Sequence, residues 1–174
     1  MNIRKSVDSV LEVLGLIGFT VRSDKKKGAW KTLENRVWGP STGGFTLSIQ
    51  ARPVQSRVGE QVKLIVALRN DGPIEVRELI ADWMHYVDLR ILGPNGTQLE
   101  PSSFGKRVLQ GRTDATTQAT FPSAEPVQNE LPLSDLYQLN APGVYRISAS
   151  CAAPGSYGEL RCESNEIGVI RTKQ

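Results

Sequence analysis

Apolar residues recur at every second position through most of the chain after Gly44. From Phe45 to Ala51 the apolar residues alternate with polar ones, and the stretch from Val62 to Arg69 repeats this period of two. Because successive side chains of a strand point to opposite faces, the alternation predicts half-buried β-strands. Pro53 ends the first of them, since proline cannot donate a ladder hydrogen bond.

The same pattern predicts further strands at 74–80, 87–91, 145–149 and 167–171, with renewed regularity at 131–139. Asn95-Gly96 separates two alternating runs and predicts a hairpin with a type I′ turn, in which both central residues need positive φ. Pro154 to Gly158 predicts a second hairpin turn. Seven or eight short strands without strand–helix alternation indicate an all-β, two-sheet antiparallel sandwich.

Residues 101–130 lose the period of two and fill with Ser, Thr, Gln, Pro and Gly. A long segment without regular structure is unusual inside a compact domain. We expect one short strand around Val108 and a loop elsewhere. Insertions and function concentrate in such segments, so this loop is a candidate binding element.

The first 43 residues follow another pattern. Apolar residues at helical spacing predict an amphipathic helix of about four turns, and they are Ile3, Val7, Val10, Leu14 and Ile17. This region imitates a signal peptide, but acidic residues interrupt its apolar run and no small-x-small cleavage site follows before Arg22. A decayed export signal and a mis-set start codon stay open as alternatives. The predicted domains are an extension at 1–43 and a sandwich at 44–174.

Charge distinguishes the two parts of the chain. Lys and Arg number 21 and Asp and Glu 18, which gives a net charge of +3, and eight of the basic but only four of the acidic residues fall within 1–40. The sandwich is therefore nearly neutral, whereas a nucleic-acid-binding domain usually carries a basic stripe. We interpret Lys25-Lys26-Lys27 as a solvated turn and expect no nucleic-acid partner. No stretch approaches the roughly 20 apolar residues that span a bilayer.

The two cysteines, Cys151 and Cys162, flank the second hairpin turn symmetrically. Their midpoint falls between Ser156 and Tyr157, which places them opposite each other on adjacent antiparallel strands. Opposed residues lie near the separation that a disulfide needs, so the sequence predicts a bridge, and two free buried thiols are the alternative. A bridge implies an oxidising, extracytoplasmic compartment, which conflicts with the missing signal peptide.

Residues for chemistry are scarce. His85 is the single histidine and no Gly-x-Ser-x-Gly elbow accompanies it. Asp82, His85 and Asp88 have a spacing of three, which on a strand puts neighbours on opposite faces, and structural zinc needs four Cys or His ligands. We therefore expect no catalytic, cofactor-binding or metal-binding residues and no enzymatic activity.

Aromatic residues are the other candidates for ligand contact. Trp83 is expected in the core. Trp30 and Trp38 precede the sandwich, and we expect them to dock the extension onto a sheet and hide an edge that would otherwise pair with another chain. Tyr157 lies at a hairpin tip, where it would be exposed. Trp30, Trp38 and Tyr157 are thus the candidate ligand-face aromatics.

Several motifs give the chain a family likeness. Tyr145, after Pro142-Gly143-Val144, resembles the tyrosine corner of immunoglobulin-like sandwiches, although Ile147 stands where antibody domains have cysteine. A set of motifs then follows in order along residues 37–171: Trp38-Gly39, Gly59-Glu60-Gln61-Val62, Leu68-Arg69-Asn70-Asp71-Gly72, Pro142-Gly143-Val144-Tyr145 and Ser164-Asn165. Together they resemble immunoglobulin-like domains of bacterial envelope and secreted proteins, and more loosely the bacterial intracellular proteinase inhibitor family.

The resemblance implies an immunoglobulin-like sandwich that binds a partner through loops or a free sheet edge, without a cofactor. The expected partner is another protein or a cell-surface polymer. A protease-inhibitor role, in which the 101–130 loop enters a target's cleft, is a sharper version of this hypothesis. A carbohydrate-binding module is the competing class, and it requires a flat strip of exposed aromatic residues.

Overall fold

The computed structural model describes residues 36–80, 87–110, 117–156 and 158–173. These residues form ten strands and two short helices. In chain order they are β1 (Phe45–Arg52), β2 (Gln55–Arg57), β3 (Lys63–Asn70), β4 (Val76–Ile80), β5 (Val87–Leu92), α1 (Ser103–Gln110), β6 (Thr117–Phe121), β7 (Pro126–Leu131), α2 (Leu133–Leu136), β8 (Gly143–Ala152), β9 (Arg161–Glu163) and β10 (Ile167–Thr172). The predicted N-terminal helix, and with it Trp30, lies outside the described residues.

Two main sheets enclose the core, as the alternation predicted. Sheet A has the strand order β1-β3-β7, and sheet B has the order β2-β10-β8-β5, with β9 also paired to β8. A small third sheet joins β4 to β6. The sandwich is not wholly antiparallel, because β2 pairs with β10 in the parallel direction. This departure arises because the chain leaves sheet A after β1 and continues along sheet B as β2.

Alternating side chains from both sheets form the interior. Leu47, Ile49, Leu64, Val66 and Ile147 are fully or almost fully buried there. Each buried side chain of this size contributes about 1.5–3 kcal/mol by leaving water. At one end the rings of Phe45 and Phe121 meet edge to face, with centroids 5.9 Å apart and planes at 87°.

The prediction for residues 101–130 was wrong. A helix, α1, occupies the position where a short strand was expected around Val108, and β6 and β7 follow it. Ser102 caps the helix, because its Oγ accepts a hydrogen bond from the Gly105 amide at 2.9 Å. Gly105 also allows α1 to approach α2, since a Cβ at this position would lie 2.2 Å from the Leu136 carbonyl oxygen. The segment is therefore not a long extended loop.

The turn at Asn95-Gly96 is present but differs from the predicted type. The Gly96 amide donates to the Gly93 carbonyl at 2.9 Å, so that Pro94 and Asn95 are the central residues. Proline fixes a negative φ at the first central position, and only Gly96, at the end of the turn, has positive φ, at 79°. The return strand is reduced to one bridge, between Leu92 and Gln98.

Candidate binding surface

The outer face of sheet A is largely covered, although half of its residues point away from the core. Ser48 and Ala67 are fully buried on this face, and Thr46 and Ile65 nearly so. Residues 36–39 contribute to the cover. The Ser48 hydroxyl donates to the Val37 carbonyl at 2.5 Å, which fixes the lead-in segment against the sheet.

The edge of β1 is bonded to other parts of the protein from Phe45 to Ile49. The Gly39 amide donates to the Leu47 carbonyl at 2.9 Å, and Thr42 exchanges two backbone hydrogen bonds with Phe45 at 2.8 and 3.0 Å. The Asn165 side chain crosses from sheet B and bonds both backbone groups of Ile49, accepting from its amide at 2.9 Å and donating to its carbonyl at 3.1 Å. Unpaired edge groups invite pairing with another chain, and on β1 both groups of Phe45 and Ile49 and the carbonyl of Leu47 are satisfied within the protein.

The opposite edge of sheet A, along β7, differs in that its outward backbone groups are not bonded in this way to other described residues. The Leu47 carbonyl bonds to Gly39, so the backbone groups of Leu68, which opposes Leu47, must point toward β7. Leu68 opposes Val127, and therefore Val127 bonds back to β3. Successive residues of a strand direct their backbone groups to opposite sides. Gln128 and Glu130 therefore direct their amides and carbonyls outward, away from β3. Within the described residues, no backbone hydrogen bond is made to these outward groups.

A cluster of cationic and aromatic side chains lies beside this edge, on the outer face of sheet A. We call Arg36, Trp38, Arg69 and Gln128 the arginine–tryptophan cluster. The Arg36 Nη2 donates to the Gln128 Oε1 at 3.1 Å. The Trp38 ring has the Arg69 guanidinium carbon 4.4 Å from its centroid and the Arg36 guanidinium carbon at 5.9 Å, both within the range of cation–π attraction.

Positive charge on this face is only partly balanced. Lys63 pairs with Glu130 at 2.7 Å and Arg69 pairs with Asp71 at 2.5 Å. Arg36 has no carboxylate partner among the described residues, and neither has Arg52. Arg36 is 7% exposed, and its Nε and Nη1 are buried without an acceptor. Burial and the charge of Arg52 lower the pKa of Arg36 to about 10, which leaves it protonated at neutral pH.

Of the predicted ligand-face aromatics, only Trp38 falls in the described part of the chain. It lies half-buried in the arginine–tryptophan cluster, with the Arg69 guanidinium against its ring. That contact occupies a face on which a sugar ring would stack. Trp30 and Tyr157 are outside the described residues, as are Asp82, Trp83 and His85.

The cysteine pair has the predicted register without the predicted bond. Cys151 opposes Cys162 on β8 and β9, but both are free, buried thiols. Opposed Cβ atoms are typically about 4.5–5.5 Å apart, wider than the ~3.8 Å typical of a disulfide. A hydrogen bond to Cys162, together with burial, raises the pKa of the Cys151 thiol. The inference of an oxidising compartment depended on that bridge and stays a prediction.

Tyr145 is fully buried on β8. Its hydroxyl donates to the Ala141 carbonyl and accepts from the Ala141 amide, both at 2.9 Å. This contact has the geometry of a tyrosine corner. It closes the turn before β8.

No cluster of three or more His, Cys, Asp or Glu that could hold a metal ion occurs among the described residues. In the same part of the chain no helix has the length and apolar character to cross a membrane. Asp88, which has the spacing of three with Asp82 and His85, lies on β5 and pairs with Arg161.

Sequence reasoning missed the residues that matter most at this surface: Arg36, Gln128 and Asn165. Arg36 and Gln128 lie in segments that the sequence suggested were irregular, so nothing indicated that they would meet. Asn165 belongs to the Ser164-Asn165 motif, but its role depends on a contact 116 positions away. No local pattern reports such a contact.

No protein-family profile and no curated protein sequence matches this chain. Among solved structures, the C-terminal domain of Wzt is 15% identical with a TM-score of 0.44, over 81% of this chain and 80% of that one. The CARDB domain of a Pyrococcus furiosus protein, in complex with di-metal ions, is 14% identical with a TM-score of 0.37, over 74% and 87%. A β-glucosidase from Erythrobacter marinus is 18% identical with a TM-score of 0.38, over 74% of this chain but 15% of the enzyme. Likenesses this distant do not establish a function.

Proposed function

We propose that this chain is an immunoglobulin-like, non-enzymatic interaction module that binds an extended segment of a partner protein along the open edge of β7. The observation that carries the proposal is the contrast between the two edges of sheet A. Gly39, Thr42 and Asn165 satisfy the edge of β1, whereas the outward groups of β7 are without a partner among the described residues.

Strand addition uses the groups that this edge presents. An added strand gains affinity from main-chain hydrogen bonds and specificity from alternate side chains. Gln128 and Glu130 each offer one amide and one carbonyl to such a strand. Pro126 has no amide to donate, so the ladder would end at this residue. The added segment would therefore be short, about four to six residues, which is ordinary for a strand.

The rival functions receive less support. A protease-inhibitor loop at 101–130 would have to be extended, and this segment contains α1, β6 and β7. A carbohydrate-binding strip would need accessible aromatic faces, and the ring of Trp38 lies against Arg69. We therefore choose a protein over a cell-surface polymer as the partner. An extracytoplasmic location is compatible with this role and remains part of the proposal.

The test distinguishes the contribution of the Glu130 backbone amide to peptide binding from that of the Glu130 side chain. Linear peptides would be selected on the immobilised protein from a displayed library, and their affinities measured by calorimetry. Glu130→Pro removes the outward amide, whereas Glu130→Ala keeps it, and both lose the ion pair with Lys63. We expect the proline variant to weaken binding about tenfold or more, equivalent to about 1.4 kcal/mol, and the alanine variant to change it less than about threefold.

The proposed edge would be refuted if the two variants bound the selected peptides equally well. Amide chemical shifts supply a second readout. Peptide binding should shift the amides of Gln128 and Glu130 more than that of Ile49, on the sealed edge. The largest shifts at residues of sheet B would likewise overturn the proposal.

A further inference from the structure

Arg36 is a buried cation without an anionic partner in the part of the chain that the structure describes. Its side chain is more than nine-tenths buried, and one hydrogen bond, from Nη2 to the neutral Gln128 side chain, is its only polar contact with the described residues. A buried charge is costly unless it is paired and hydrogen-bonded. Arg36 and Arg52 also repel each other, which contributes to the lowered pKa of Arg36. This arrangement lacks the group that would balance both charges.

The unbalanced charge lies beside the proposed binding edge. Gln128 is on β7, and its side chain points to the outer face of sheet A, where it meets Arg36. On one face of an antiparallel pair, opposed residues have Cβ atoms about 4.5–5.5 Å apart. A side chain of an added strand opposite Gln128 would therefore lie close to the Arg36 guanidinium.

We propose that the segment bound along β7 carries an acidic side chain opposite Gln128, and that its carboxylate replaces the Gln128 amide as the acceptor for Arg36. This inference depends on the proposed function, because strand addition brings the carboxylate into place. Displacement of the exposed Gln128 side chain opens the Nη2 side of the guanidinium. Arg52, which is exposed on the same face, adds a second positive charge.

The chemistry of the site favours a carboxylate. A guanidinium presents donors in a planar fork that matches a carboxylate, and such charge-assisted bonds are about twice as strong as neutral ones. The other cations of this face do not compete, because Lys63 and Arg69 already have Glu130 and Asp71. The site therefore selects a segment with an acidic residue at one defined position.

The experiment compares matched peptides. Each selected peptide would be synthesised with Asp or Glu at one position in turn and with Asn or Gln in its place. We expect the acidic peptide to bind about tenfold more tightly at one position only, equivalent to about 1.4 kcal/mol, and the preference to shrink as salt increases. In 15N spectra the Nε–H signal of Arg36 should move with the acidic peptide and not with the amide one.

Substitutions identify the arginines that cause the preference for an acidic peptide. Arg52→Gln, at an exposed side chain, should reduce the acid preference severalfold. Arg36→Lys should remove most of the acid preference, because lysine lacks the planar fork of donors that a guanidinium offers a carboxylate. The 15N spectrum of this variant reports whether it folds. Arg57→Gln changes an exposed arginine on β2, in the other sheet, and should leave the preference unchanged.

The outcomes separate the two proposals. If peptides bind at β7 without preferring an acid at any position, or if Arg57→Gln reduces the preference as much as Arg52→Gln, the inference is wrong and the interaction module stands. If the acid preference persists but Glu130→Pro binds peptides as well as Glu130→Ala, binding along β7 is refuted. The proposed position of the carboxylate opposite Gln128 is then refuted as well.

Discussion

Replacing Asn165 by alanine tests the seal on the β1 edge. The substitution removes two hydrogen bonds, at 2.9 and 3.1 Å, to the backbone of Ile49, which is fully buried. Each bond contributes about 1 kcal/mol net, and a buried group left without a partner costs about 1–3 kcal/mol. We expect the free energy of unfolding to fall by about 3 kcal/mol, which for a chain of this length lowers the Tm by roughly 6–12 °C.

Urea unfolding followed by circular dichroism measures this loss, and the slope of the transition should not change. Glu166→Ala, at the exposed neighbouring position, is the matched control and should stay within about 0.5 kcal/mol of the wild type. Hydrogen exchange of the Ile49 amide should accelerate in the Asn165 variant. If stability and exchange both match the wild type, the side chain does not hold this edge in solution.

Three further predictions concern the sandwich. Tyr145→Phe removes both bonds to Ala141 and should cost about 1–2 kcal/mol in urea unfolding; an unchanged midpoint would contradict the tyrosine corner. Burial, followed by nearby carboxylates, raises the pKa of Tyr137 from 10.0 to about 12. The native state therefore retains a proton that the unfolded chain loses, so wild-type stability should fall relative to Tyr137→Phe from pH 10 to 12, by about 2 kcal/mol; parallel pH curves would contradict this. Without reductant, a thiol reagent should find about two thiols in the denatured chain and react slowly with native Cys151 and Cys162; no thiols after denaturation would show a bridge.

Period-two alternation was enough to predict six of the strands, β1, β3, β4, β5, β8 and β10, because burial between two sheets requires it. The strands around Phe45, Val66 and Tyr145 all lie where the pattern placed them. The same reasoning failed at α1, although Phe104 and Val108 have the i, i+4 spacing of one helix face. At the 94–97 turn the Asn95-Gly96 dipeptide favours type I′, but the fixed φ of Pro94 selects a different turn.

The binding surface could not be predicted in the same way. Arg36 and Gln128 meet across 92 positions, and their contact depends on how the lead-in segment lies over sheet A. The opposed register of Cys151 and Cys162 could be derived, because a symmetric turn fixes it locally. Whether the sulfurs bond depends on a difference of about an ångström in Cβ separation, which a register does not define.

The unequal edges of sheet A also limit how copies of this chain can assemble. Continuous head-to-tail growth would require β7 of one molecule to pair with β1 of the next, and the edge of β1 is occupied by Gly39, Thr42 and Asn165. Of the two described edges of sheet A, β7 is the one that can pair with a second copy, β7 to β7, in a two-fold arrangement that leaves no open edge of this sheet on either molecule. Pairing along β7 therefore terminates at a dimer instead of extending into a filament.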